Sequence, residues 1–274
     1  MSDAMRIALR LLGPALALPA LAPAAAANPA PAARWVVDWG DIRCTLARTG
    51  APVTFILRTV PGSGIWEIRF DRRELSRLGA GDPRRLTFTL LPGGNVLPDR
   101  TYIDARTGIG GTLVIYQLSR SLVDEWLPSA QSLRIARNGR TLAEIALPEA
   151  AQAVAAMRRC EDEAMREWGM DPVAFDALRL PPAGNAAAVV NDNDYPAAAV
   201  RANQSGTVAV RLMVDSGGRI TDCTPVVSSG AEVLDSRTCE IYRQRLRLHP
   251  AVGADGSPTG SPVVVILRWV LPGR

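Results

Sequence analysis

Residues 206–227 read GTVAVRLMVDSGGRITDCTPVV, and their reading decides the fold of the last third of the chain. Apolar and polar side chains alternate over 207–214, the period-two pattern of a strand with one buried face. Asp215-Ser216-Gly217-Gly218 follows as a hairpin turn, in which Gly217 and Gly218 can supply the positive φ that a primed turn demands. Residues 219–227 return as the second strand. Ahead of the hairpin, Tyr195-Pro196 opens a short helix through Arg201. After it, Gly230 ends the strand, and residues 232–248 carry Val233, Leu234, Ile241 and Leu246 as an amphipathic helix. A turn over 255–258 leads into an apolar final strand over 262–271. The order helix, hairpin, helix, strand predicts a small α/β-sandwich-like domain with an antiparallel sheet over 195–271.

Working toward the N-terminus, residues 171–194 read as a linker. Pro172, Pro181-Pro182-Ala183-Gly184 and Asn191-Asp192-Asn193-Asp194 interrupt every period. The Asn/Asp tetrad lacks the glycine and the downstream glutamate that an EF-hand calcium loop requires, so no metal is expected. Residues 34–170 read as a β-rich domain. Alternating or apolar runs lie at 35–39, 42–46, 53–57, 65–70, 86–91 and 112–118, and Asn138-Gly139 forms a hairpin turn between runs at 133–136 and 141–145. The period then switches: Ala150, Ala153, Val154, Met157, Cys160, Ala164 and Trp168 recur at helical spacing and predict a closing helix over 149–168. Glu161, Asp162 and Glu163 read as that helix's solvated face. The predicted class is α+β.

At the start, Arg6 and Arg10 precede a Leu/Ala-rich run from 11 to about 21 and a small-residue tract ending at Ala27. This is the order of a secretory signal peptide over 1–27, cleaved near Ala27. Pro14, Pro19 and Pro23 interrupt the run, whereas a spanning helix needs about 20 continuous apolar residues. Export to the periplasm is therefore expected. In an oxidising compartment the four cysteines are read as disulfides. None lies in a CxxC, and of the three possible pairings the domain layout favours Cys44–Cys160 and Cys223–Cys239, one in each domain.

The C-terminal stretch resembles the TonB C-terminal domain family, in its two-cysteine form. The resemblance rests on Tyr195-Pro196, Gly206-Thr207-Val208, Val214-Asp215 with Gly218-Arg219-Ile220, Val227, Ser229-Gly230 and Leu234-Asp235. It continues through His249-Pro250-Ala251 and Asp255-Gly256 with Pro258. Leu248-His249 stands where the family carries an aromatic residue before the proline. The resemblance implies a protein-binding domain that pairs a strand with a short segment of an envelope partner, TonB-dependent outer-membrane receptors among them. Strand addition needs an accessible edge. The candidate partner-binding residues are Val263, Val264, Val265, Ile266, Leu267, Arg268 and Trp269 of the final strand, with plain core as the alternative reading. The N-terminal domain, with Cys44, Cys160 and its early tryptophans, is similar to exported invasion-associated proteins of the IalB type, and no function is carried over from them.

Chemistry finds little support in the residues. Formal net charge is +4, and all 31 basic residues are arginine, a pattern better explained by GC-rich coding than by a phosphate-binding surface. Nucleic acid is not an expected partner, nor is a small-molecule substrate. There is no GxSxG, HExxH or P-loop, and any Ser-His-Asp constellation would have to use His249, the one histidine. No cofactor and no enzymatic activity are expected. Three readings remain open: a periplasmic partner-binding protein, a membrane-anchored energy transducer, and an envelope scaffold. A homodimer is compatible with each.

Overall fold

Short strands with alternating burial build the N-terminal half. The computed structural model describes residues 34–40, 42–49, 53–79, 85–97, 101–104 and 113–271. The leader expected over 1–27 lies outside the described residues. One antiparallel sheet has the order β1-β2-β3-β4-β8-β7, from β1 (Arg34–Trp39), β2 (Cys44–Thr49), β3 (Phe55–Thr59), β4 (Ile65–Asp71), β7 (Thr101–Asp104) and β8 (Leu113–Ser119). A second has the order β10-β9-β5-β6, from β5 (Leu86–Leu91), β6 (Asn95–Val96), β9 (Ser132–Arg137) and β10 (Arg140–Ala146). Two short helices, α1 (Arg72–Arg77) and α2 (Arg120–Trp126), lie between strands and were not expected from the sequence.

In β2, β3 and β4 every second side chain enters one core: Leu46, Phe55, Leu57, Trp66, Ile68 and Phe70 are all buried. The second sheet contributes Phe88, Leu133 and Ile135 to the same cluster. Phe70 and Phe88 stack with centroids 4.6 Å apart, so aromatic packing joins the two sheets. The closing helix is α3 (Ala150–Glu167), whose Ala153, Val154, Met157 and Cys160 are buried. Cys160 is bonded to Cys44 on β2, Cα to Cα 6.1 Å, which ties helix to sheet across 116 residues of sequence.

The C-terminal third forms a three-stranded antiparallel sheet in the order β12-β11-β15. Its strands are β11 (Gly206–Val214), β12 (Ile220–Val227) and β15 (Ser261–Trp269). α4 (Pro172–Asp176), α5 (Ala197–Arg201) and α6 (Glu232–Arg245) complete the helices, and β13 (Ala251–Val252) pairs with β14 (Pro258–Thr259). Val208, Val210, Leu212 and Val214 of β11 face α6, where Leu234, Ile241 and Tyr242 are buried. Cys223 of β12 and Cys239 of α6 form the second disulfide, Cα to Cα 5.5 Å. α6 stops at Arg245 rather than 248 because Leu246 turns extended, with ψ 135°. The backbone N–H of Leu248 then donates to the Gly218 carbonyl at 3.0 Å. The fold is α+β.

The sheet's other face is covered as well. Ala209 and Val264 pack with Ala164, Met165, Trp168, Met170 and Phe175, from the end of α3 and the chain that follows it. Arg211 of β11 donates to the carbonyls of Trp168 (2.9 Å) and Gly169 (3.3 Å), so a cation from the last third caps the C-terminus of α3. Residues 171–194, read as a linker, hold α4 and two 3-10 turns. They also carry backbone bridges from Leu180 to Val252 and from Ala183 to His249. Among the described residues, no helix is long and apolar enough to cross a membrane.

One reading is corrected by the packing. Glu161 is not on a solvated face: its side chain is 0% exposed, 3.5 Å from Arg120 and 3.4 Å from Arg158. Asp162 and Glu163 do remain partly or fully exposed. The helix turns Glu161 inward because it follows Met157 by four residues and so shares that buried stripe.

Candidate partner-binding edge

β11 is central, so the sheet has two edges, β12 and β15. In an antiparallel sheet successive residues point their backbone groups alternately to one neighbour and to the other. The Val264 N–H donates at 3.0 Å to the carbonyl of Gly62, away from β11, which makes Val264, Ile266 and Arg268 the outward residues of β15. Val263, Val265, Leu267 and Trp269 are then the residues bonded to β11. The seven candidate residues are thus brought onto one strand, split between two roles. Leu267 and Trp269 are buried side chains as well.

The Trp269 side chain is anchored from two sides. Its indole N–H donates to Thr238 Oγ1 at 2.9 Å, and Thr238 passes the chain on to the Leu234 carbonyl at 2.8 Å. Tyr195 meets its ring edge-to-face at 5.2 Å, while the Tyr195 hydroxyl donates to the Gln204 carbonyl. Asp194, next to Tyr195, is buried and clasped by Arg245 (2.8 Å) and Arg237 (2.9 Å). The hydrogen bond from Arg245 is the main reason its carboxyl is held below the usual carboxylate range, and Arg237 adds to it. The far end of β15 is therefore held from α6 and from the 191–195 turn. Asp235 of α6 holds the chain that follows β12, accepting from Ser229 N–H at 2.9 Å and from the Ser228 hydroxyl.

The two edges are unequal. On β12 the outward positions include Pro225, which has no N–H to offer, and Cys223, whose carbonyl already accepts from Arg243 at 2.8 Å. On β15 the outward N–H of Val264 is taken by Gly62, while among the described residues no backbone hydrogen bond reaches the outward groups of Ile266 or Arg268. Arg268 and Val270 are exposed. One edge is closed along its centre, and the other is closed at one end and open at the other.

The closed end is built from the N-terminal half. The loop after β3 brings Gly62 to the edge in a left-handed conformation, φ +73°. Gly64, φ +70°, lets Pro181 pack where a side chain would stand. Between this loop, the 182–184 strap and β15 lies a cleft of about 210 Å³, floored by Val263, Val264, Val265 and Ile266. Arg43, Arg58 and Glu67 line its polar side. Glu67 is 2.7 Å from Arg58, and among the described residues nothing pairs with the Arg43 guanidinium. Burial, and then the neighbouring Arg58, weaken the Arg43 side chain's hold on its proton, with Glu67 acting the other way. Sequence reading did not single out Arg43 or the 60–64 loop for this edge.

His249 is exposed, and the bonds it makes to Ala183 are through its backbone. Among the described residues, no cluster of His, Cys, Asp or Glu is arranged to hold a metal ion.

Residues 191–271 match the model of the family described as Gram-negative bacterial TonB protein C-terminal. The match begins at Asn191, ahead of Tyr195, and so takes in the Asp194 clasp. A search of curated proteins and a search of solved structures each returned no match.

Proposed function

We propose that this chain is a non-enzymatic periplasmic protein whose C-terminal domain, 195–271, binds an envelope partner by adding a strand of that partner to the outward edge of β15. Strand addition draws its affinity from main-chain hydrogen bonds, so it needs unsatisfied donors and acceptors on an ordered edge. The observation that carries the reading is the pair of open residues, Ile266 and Arg268, on a strand whose far end is anchored through Trp269. The Pro225-bearing edge offers no equivalent. Two disulfides support an oxidising compartment. The β-rich part, 34–170, caps the other end of the edge and so limits the length of strand that can be added.

Arg268→Pro tests this with little collateral damage. The Arg268 side chain is exposed, and its N–H points away from β11, so proline there removes an outward donor without breaking the native ladder. A photo-crosslinking residue at 268, read out in the envelope of growing cells, should give adducts with outer-membrane β-barrel receptors. With the crosslinking residue at 270 instead, the native chain should give the same adducts, and adding Arg268→Pro to that chain should abolish them. Adducts formed equally well from Thr221 on β12, or an Arg268→Pro chain that still captures the same receptor, would reject strand addition at β15.

A further inference from the structure

β1 is an edge strand at which the core layer of the larger sheet runs on into solvent. Gly40 and Arg43 exchange backbone hydrogen bonds of 3.0 and 3.3 Å, closing the turn from β1 to β2. Bonding alternates along an antiparallel ladder, so with Trp39 opposite Cys44 the even residues Arg34, Val36 and Asp38 bond to β2. Trp35, Val37 and Trp39 then aim their backbone groups outward, where among the described residues no strand pairs with β1. Opposite residues share a face of the sheet, so these three side chains lie on the face of Cys44 and Leu46. Cys44 and Leu46 are buried, yet Val37 and Trp39 stay 42% and 46% exposed. Trp35 is held by its own chain, edge-to-face on Phe55 at 6.1 Å and through its indole N–H to the Pro148 carbonyl. An apolar margin beside open donors and acceptors is a template for another strand.

We infer that β1 of a second copy of this chain completes this edge, antiparallel across a two-fold axis. An axis normal to the sheet keeps each side chain on its own face, so even residues meet even ones and odd meet odd. Centred on Val36, it sets Arg34 opposite Asp38 of the other copy, and the symmetry repeats the pair. Trp35 then stands opposite Val37 with main-chain bonds in both directions, and Trp39 comes within diagonal reach of Trp35. Arg34 and Asp38 are exposed, and on β2 they face the uncharged Thr49 and Thr45, so the second copy supplies each with an opposite charge that β2 does not. Centred on Val37 instead, the axis would set Asp38 against Val36 and Arg34 against Gly40, so charge selects the first register. The inference is independent of strand addition at β15, and it would carry two β15 edges on one particle.

Sedimentation of the full chain over a range of concentrations tests it. One strand pair is at the small end of specific interfaces, so a reversible dimer with micromolar dissociation is expected. Val37→Pro removes an outward N–H and spares the ladder to β2, so it should leave a folded monomer. Asp38→Arg sets like charges opposite each other and should weaken association about tenfold. Adding Arg34→Asp should restore it, a recovery that misfolding does not produce. Val36 meets its own copy in a non-bonded pair, Cα to Cα about 4.5 Å, which is within disulfide range. The four native cysteines are already paired, so Val36→Cys should give an oxidised, covalent dimer and Val37→Cys should not. A chain that stays monomeric throughout, a dimer that survives Val37→Pro, or a charge swap that fails to restore association overturns the inference.

Discussion

Gly62 and Val264 are joined by a backbone hydrogen bond of 3.0 Å, although 202 residues of sequence separate them. Through it a hairpin loop of the β-rich half terminates the edge of the C-terminal sheet. The bond requires a left-handed glycine, and a Cβ at position 62 would lie 2.7 Å from Met170 Cε and 3.2 Å from Val264 Cγ2. Gly62→Ala should therefore cost about 1–3 kcal/mol, from the strained φ together with the crowding. Amide exchange at Val264 should accelerate at the same time. Unchanged denaturation and unchanged exchange at Val264 would show that the loop does not hold the edge.

Asp194 gives a pH dependence on the acid side. Arg245 and Arg237 hold its carboxyl below the ordinary value, so the folded chain binds the proton less readily than the unfolded chain does. The stabilisation is present above the unfolded carboxylate value and is lost as pH falls through the lower, folded one. Asp194→Asn should cost about 2 kcal/mol or more at pH 7, where a buried acceptor of two charged donors is removed. Thermal melts of the two chains should converge as pH falls toward 3. A gap that stays constant with pH would assign the loss to packing instead.

Glu161 works in the opposite direction. Burial pushes its carboxyl up to about 8, with Arg158 partly opposing and Asp162, Asp176 and Asp124 adding to the rise. Its folded value lies above its unfolded one, so the folded chain holds the proton more tightly. Stability from this group is complete below the unfolded value and is lost as pH rises toward 8. Asp124, raised to about 6 chiefly by burial, contributes in the same sense at the lower part of that window. Glu161→Gln should flatten the decline between pH 5 and 8 by on the order of 1 kcal/mol. Unfolding midpoints of native and variant chains across that range read it out, and parallel curves would mean that Glu161 stays ionised between its arginines.

What was legible in the sequence was whatever repeats locally. The β11–β12 hairpin announces itself in alternation and in Asp215-Ser216-Gly217-Gly218, and α3 in the spacing from Ala150 to Trp168. Those patterns are short-range consequences of burying one face. The unequal edges were not legible, since they depend on contacts between segments far apart in sequence. Pro61-Gly62-Ser63-Gly64 reads as a turn anywhere, and nothing in it says that its carbonyl will meet Val264. The 180–183 bridges to 249–252 leave no periodic trace, because each is a single backbone pair. Glu161 was misread for a related reason. A charged residue at a helical core position looks solvated until Arg120, on a different helix, is placed beside it.

Strand addition at the open end of β15 is tested most directly by residue-resolved amide exchange of the full chain, with and without a capped heptapeptide of high β propensity. In the free chain Val264 should be protected, while Ile266 and Arg268 exchange freely. With peptide bound, Ile266 and Arg268 should become protected and the β12 amides should stay as they were. If Ile266 and Arg268 continue to exchange freely while the peptide is bound, β15 is not the edge that receives the partner.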